Sequence, residues 1–342
     1  MNNRRRTTVV LVLLAVLLIA LALACLLVGS VRIPVGDVLS IVMGDYSGNQ
    51  AWQVIVTQAR MPMIATAALS GAALAVAGLL MQTAFSNPLA GPSILGVSSG
   101  ASLGVAVVML AMGGYIGSAT GGQISSLIGA FVGAVAVLAL LLLFSSMVRS
   151  STMLLIVGIM VGYLASSAIS LLNFFATEQG VHSYVIWGLG NFSGVMRGQL
   201  PLFATAVAIG LVWAVLMVKP LDALLLGERY AQSMGVSVRS TRNCLLAITG
   251  LLTATVTAFC GPIGFIGLAV PHIARLMLHT SSHRLLLPAS ILAGADLALL
   301  CTLVSVLPTS SGVIPINAIT PIVGVPVIIY VIFNRKKIDY LN

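Results

Sequence analysis

Charge is scarce in this chain. Of its 342 residues only 7% are Asp, Glu, Lys or Arg, against roughly 25% in a soluble domain. Hydrophobic residues make up 59% and the mean hydropathy is +1.13, more apolar surface than a water-soluble core of this length hides. Acids are few, 7 against 16 Lys and Arg, and only Asp296 lies deep inside an apolar run. No G-x-x-x-x-G-K-[ST] loop, G-x-S-x-G elbow, H-E-x-x-H helix or paired intramembrane Asp pattern occurs. Nucleotide hydrolysis and intramembrane proteolysis are therefore left without their usual residues. The four cysteines, Cys25, Cys244, Cys260 and Cys301, all sit in apolar runs without metal-like spacing. They read as small packing residues, not as disulfides or ligands.

What is present is a series of apolar runs of about 20 residues, each long enough at 1.5 Å per residue to cross a hydrocarbon layer of about 30 Å. Backbone in lipid must satisfy its own hydrogen bonds, so helices are the expected form. Reading from one breaker to the next places spans near 9–29, 61–82, 93–112, 123–148, 153–176, 200–218, 243–260, 263–278, 285–307 and 313–333. The fold class expected is an all-α integral membrane protein, one polytopic domain over 1–342 with about ten spans. Arg4 to Arg6 precede an apolar run from Val9 to Val28. That run exceeds the roughly 7 to 15 residues of a secretory signal, so an uncleaved first span is expected.

A net charge of +9 would suggest nucleic acid in a soluble chain, but its placement here argues for topology and no nucleic-acid partner is expected. With a cytoplasmic N-terminus, Arg4, Arg5, Arg6, Arg149, Lys219, Arg229, Arg239, Arg242, Arg275, Arg284, Arg335, Lys336 and Lys337 fall at the inner edge. Only Arg32, Arg60 and Arg197 fall outside. The bias favours an even number of spans with both termini in the cytoplasm. The outer intervals 30–60 and 177–199 carry Trp52, Tyr184 and Trp187, suited to a membrane interface. The inner interval 219–242 reads as a short amphipathic helical pair open to a cytosolic partner. Five spans on each side of the midpoint set the halves in opposite directions, and each half has an Ala/Gly-rich helix broken at Pro, 71–88 and 254–271. Inverted halves with interrupted helices are a common transporter plan.

The segment from Arg60 to Gly104, RMPMIATAALSGAALAVAGLLMQTAFSNPLAGPSILGVSSGASLG, is rich in small residues that let helices approach closely. It breaks at Asn87, Pro88, Gly91 and Pro92, and a tight inter-span turn and a gate are both consistent with that break. This segment resembles the signature of the FecCD family of importer permeases, which carry iron-siderophores, haem or cobalamin. The resemblance continues in SSTMLLIVG from Ser150, LLLGERYAQSMG from Leu224, GPIGFIGLAVPHIARL from Gly261, SSHRLLLPASILAGA from Ser281 and IVGVPVIIYVI from Ile322.

The resemblance implies an inverted-repeat, type II ATP-binding-cassette importer architecture in the bacterial inner membrane. It implies a homodimer with its path along the two-fold axis, two cytosolic ATPase subunits holding ATP and Mg, and a periplasmic substrate-binding protein. No cofactor is expected on this chain itself. Asn87 and Leu89 match one gate element, and Ser151 and Thr152 match the gate turn between spans four and five. Helix N-capping is the plainer duty of the latter pair, and both hold together. Gly227 and Gly235 permit turns around a short helix carrying Glu228, Arg229 and Ala231, by resemblance the element that couples to the ATPase.

Three positions depart from the family pattern: Met63 stands where a second arginine is common, Thr302 and Val306 replace an Asp-x-x-Ala-Arg pattern, and Val313 replaces an acid. Arg60 alone is left to dock an acidic patch on a binding protein. Asp296 is read either as a path-lining or coupling carboxylate or as a helix-packing hydrogen bond. His272 and Arg275 read as scaffold, and no metal site is expected. The alternative to an importer permease is a secondary transporter driven by an ion gradient, for which several intramembrane ionisable groups would be expected.

Overall fold

The computed structural model describes residues 3–111, 119–148, 150–307 and 313–333, and the described residues are helical throughout apart from turns and connecting segments. Arg149, Arg335, Lys336 and Lys337, part of the topology argument, lie outside the described residues, as do the side chains of Arg4 and Ser151. The chain opens with α1 (Asn3–Leu27), then α2 (Val35–Met43) and α3 (Gln50–Val54). A π turn, Ile55–Arg60, runs α3 directly into α4 (Met61–Ala84). After a break and a 3₁₀ turn (Pro92–Leu95) come α5 (Val97–Ala106) with a π extension (Val107–Ala111), α6 (Ala119–Met147), α7 (Ser151–Phe175) and α8 (Glu178–Gly188). The second half holds α9 (Leu200–Leu216), α10 (Val218–Leu225), α11 (Glu228–Ser233), α12 (Val238–Cys260), α13 (Ile266–Leu278), α14 (His283–Ser305) and α15 (Ile316–Phe333).

Among the described residues six helical stretches are long and apolar enough to cross a membrane: α1, α3 with α4, α6, α7, α12 and α14. A further one, α9, meets α10 at a 52° bend, and α5 with its extension, α13 and α15 are shorter apolar helices. Each of the ten apolar runs read from the sequence falls on one of these helices. The interior is built around α4 and α12, largely buried, while α1, α6 and α7 turn most of their surface outward.

Glycine sets the closeness of that packing. A Cβ on Gly71 would strike the Gly294 carbonyl of α14, and one on Gly78 would strike the Gly267 carbonyl of α13. Gly100 and Gly104 of α5 meet Gly133 and Gly129 of α6 in the same way. Backbone-to-backbone contact of this kind supplies dispersion where lipid offers no hydrophobic gain.

Side-chain ties sort the helix ends into two sets. At one end Arg6 of α1 donates from Nε to the Met277 carbonyl of α13 (3.2 Å) and from Nη2 to His279 Nδ1 (2.7 Å). Arg239 of α12 reaches the Ser146 carbonyl of α6 (2.5 Å). At the other end Arg60, entering α4, holds the Leu26 carbonyl of α1 (2.6 Å), and the Asn191 amide holds the Cys260 carbonyl of α12 (2.8 Å). Lys219, Arg229, Arg239, Arg242, Arg275 and Arg284 all belong to the first end, with Arg32, Arg60 and Arg197 at the second.

α13 has only 13 residues, about 20 Å of helix, too short to cross alone. The non-helical backbone before it is satisfied by protein. Asn317 Nδ2 donates to the Pro262 carbonyl (2.5 Å) and to Gly188 O (3.0 Å), and Asn317 Oδ1 accepts from the Gly264 amide (3.3 Å). Such internal satisfaction is what irregular backbone at membrane depth requires.

Candidate functional site

α4 ends where the chain meets Asn87, Pro88, Gly91 and Pro92, since each proline removes a donor and restricts the residue before it. The turn that results is closed locally: Asn87 Oδ1 accepts the Leu89 amide at 2.9 Å, and the Ala90 amide donates to the Asn87 carbonyl at 3.0 Å. Ser86 takes a positive φ of 46° to enter it. Leu89 points outward, 42% exposed, while Ala90 is buried.

α13 holds this turn from the side. His272, buried on α13, donates from Nε2 to the Pro88 carbonyl at 2.7 Å. Gln82, on the last turn of α4, donates to Leu268 O (3.2 Å) and accepts from the Arg275 guanidinium (2.5 Å). His272 thus holds the backbone of the turn, and Arg275 holds the Gln82 side chain on the helix that leads into it.

Ser151 and Thr152 open α7, with Ser150 at the N-cap making no side-chain capping bond. Thr152 is exposed. The neighbouring 3₁₀ turn packs on α7, where a Cβ on Gly158 would lie 3.0 Å from the Leu95 Cα. The segment leaving the Asn87–Leu89 turn is therefore seated on the helix that Ser151 and Thr152 begin.

The elbow at the basic end consists of α10 and α11. Gly227 (φ 97°) and Gly235 (φ 83°) flank α11 in the backbone region where only glycine is at ease. Ala231 is fully buried and seats α11, and Glu228 pairs with Arg242 of α12 at 2.8 Å. Around the exposed Arg229 stand Leu226, Tyr230 and Met234, each more than half exposed. The elbow is fixed to the body on one face and presents a mixed apolar and basic surface on the other.

One cluster went unread in the sequence. Asp222 of α10 accepts from the His283 backbone amide (2.7 Å) and from His283 Nδ1 (2.9 Å). It also accepts from the Ser282 hydroxyl (3.3 Å). The far nitrogen of His283, Nε2, lies 2.7 Å from Thr83 Oγ1 on α4. Asp222 caps α14 from another helix, which only a tertiary fold reveals. His283 and Ser282 sit in a quoted block, so the signal was present without its partner.

Two expectations change. Arg60 is buried rather than displayed: beyond its bond to Leu26 O, the guanidinium donates to Leu27 O (3.2 Å) and Val31 O (2.5 Å). Leu26 and Leu27 offer carbonyls left open at the end of α1, and Val31 offers one in the segment that follows, so a docking role does not follow from this geometry. Asp296 is buried, and neither oxygen has a hydrogen-bond partner among the described residues. It lies one turn before Leu299, whose carbonyl accepts from Cys25 Sγ of α1, on a helix that packs against α1. The expected packing bond is absent there. No group of His, Cys, Asp or Glu arranged for a metal ion occurs among the described residues.

A polytopic helical body, interrupted spans held by protein contacts and a firmly seated elbow at the basic end are the frame of a transport permease. The chain belongs to the FecCD transport family, whose pattern it matches over residues 16–334. It is 36% identical over 337 residues to the vitamin B12 import system permease BtuC of Salmonella paratyphi A, 98% of each chain being covered. The corresponding Klebsiella pneumoniae permease is 35% identical over 324 residues, covering 94% of this chain and 93% of that protein. The fold is similar to a metal-chelate type ABC transporter solved in an inward-facing conformation, with TM-score 0.83 and 29% identity over 95% of this chain and 98% of the other. A more distant likeness, TM-score 0.50 at 14% identity, is to PsaBC of Streptococcus pneumoniae. The chain is an importer permease of this type, a multi-pass protein of the bacterial inner membrane.

Proposed function

We propose that two copies of this chain form the membrane part of an importer that takes a large chelated-metal compound, a cobalamin, haem or ferric siderophore, from periplasm to cytoplasm. Two cytosolic ATPase subunits supply the energy, and a periplasmic binding protein delivers the cargo. Both termini lie in the cytoplasm, since the basic residues gather at the end that holds the start of α1. The B12 permeases and the metal-chelate transporter differ in named cargo, and a chelated metal is the chemistry they share.

The observation that carries this reading is the elbow: Ala231 and the Glu228–Arg242 pair lock α11 to the body while Leu226, Arg229, Tyr230 and Met234 face out at the basic end. A surface both rigid and partly apolar suits a partner that pushes on it. The gradient-driven alternative draws only on Asp296, which lies under α1.

Reconstitution of the chain into vesicles alone and with its candidate ATPase separates the two. Uptake of a chelated-metal cargo should need the ATPase and ATP. Uptake driven by an ion gradient without the ATPase would overturn the importer reading.

A further inference from the structure

The elbow and the gate turn are far apart in sequence but share a single side chain between them. Asp222 precedes Gly227 by five residues on α10, and Thr83 precedes Asn87 by four on α4. His283 stands between, fully buried, bonded through Nδ1 to Asp222 (2.9 Å) and through Nε2 to Thr83 Oγ1 (2.7 Å). Since a carboxylate only accepts, Nδ1 carries the hydrogen on the Asp222 side. The His283 amide bond to Asp222 (2.7 Å) ties the ring's own backbone to the same carboxylate. Nε2 therefore accepts, and the Thr83 hydroxyl gives its one hydrogen to that bond, with the Leu79 carbonyl of its own helix 3.1 Å from the same oxygen.

We propose that Asp222, His283 and Thr83 form the positioning link through which a shift of the elbow is passed to the Asn87–Leu89 turn. Short hydrogen bonds with no solvent between them transmit displacement as a rigid strut does, and every member is either on the moving helix or buried against the gate helix. α13 holds the same stretch separately, with His272 at the Pro88 carbonyl and Arg275 at the Gln82 side chain, so the turn has one support from α13 and another from the elbow. Coupling of two sites through packed, bonded elements amounts to 1–3 kcal/mol, or about 5 to 150-fold in an equilibrium.

The inference rests on the importer reading, and the test keeps the two apart. A spin label is placed at position 89 by Leu89→Cys in the complete transporter, and its mobility is compared with and without non-hydrolysable nucleotide and Mg. The comparison is made in wild type, Thr83→Val, Thr83→Ser and Asp222→Ala. Cargo moved per ATP hydrolysed is measured alongside. Thr83→Val keeps the side-chain volume and removes the hydroxyl, and Asp222→Ala removes the oxygen that accepts both His283 bonds. The expected result is a nucleotide response at position 89 in wild type and Thr83→Ser and its loss in Thr83→Val and Asp222→Ala. Transport per ATP should fall by about tenfold in those two, with ATPase binding unchanged. A merely structural role would lower the melting temperature and leave the label response and the ratio alone. Equal responses in all four would overturn the link while leaving the importer reading intact. No response in wild type would overturn the link as well, whereas uptake of cargo without the ATPase would overturn the importer reading.

Discussion

The Arg242 guanidinium lies 2.8 Å from the Glu228 carboxylate, and the two ends of the pair live in different media, 6% and 45% exposed. The cation cannot reach water, so the carboxylate brings the counter-charge to it and carries α11 along. Glu228→Gln leaves a buried guanidinium without that charge. A fully buried pair broken this way costs about 3–5 kcal/mol, and the solvated partner reduces that to about 1–2 kcal/mol. Thermal unfolding of the purified chain should show the loss. Arg229→Glu, on the exposed face beside it, should leave unfolding unchanged while weakening capture of the ATPase.

Much of this was legible in the sequence. Runs of about 20 apolar residues fixed the helices, because lipid permits few other backbone solutions. Gly227 and Gly235 announced the turns they make. What periodicity does not carry is which polar side chain crosses to which helix. Asp222 reads as one more charge on a cytosolic loop until α14 is beside it, and Asn317 as a stray amide until the Pro262 turn is. Arg60 looked available because arginines near a loop usually are, and the demand of α1's open carbonyls appears only in three dimensions.

Close helix contact gives a sharp test. A Cβ on Gly78 would overlap the Gly267 carbonyl, backbone that cannot swing aside, whereas one on Gly36 of α2 meets nothing within 4 Å. Gly78→Ala should destabilise by about 1–3 kcal/mol through overpacking. Gly36→Ala should be neutral or stabilise by about 0.5–1 kcal/mol, as alanine does within a helix. Unfolding of the two variants side by side would expose an error if Gly78→Ala melted like wild type.

Arg60 satisfies three carbonyls with a planar fork, which a lysine ammonium does not reproduce. Arg60→Lys should lower the unfolding temperature and increase proteolysis near residues 28–31, with the affinity for the periplasmic binding protein unchanged. Arg32 and Arg197, exposed at the same end, are the positions where charge reversal should weaken that affinity and flatten its salt dependence. Surface plasmon resonance at low and moderate salt reads both. Loss of affinity in Arg60→Lys at unchanged stability would return Arg60 to the docking surface.

Asp296 poses the opposite problem, a polar group with nothing to hold. Both oxygens are buried without a partner among the described residues, and a central Asp costs about 2.5–3.5 kcal/mol to place in a membrane helix. Asp296 lies well along α14 from His283, about 20 Å at 1.5 Å per residue, and so away from Asp222 and Thr83 at the start of that helix. Asp296→Leu should therefore raise the unfolding temperature of the chain, by removing an unmet group in favour of apolar packing. Asp296→Asn, which keeps the shape and removes the ionisable proton, should leave ATP-driven uptake unchanged. Uptake in vesicles decides the matter: an Asn variant that assembles and inserts normally yet moves no cargo would show that the carboxylate works in transport, and the α1–α14 contact would then have to open during the cycle.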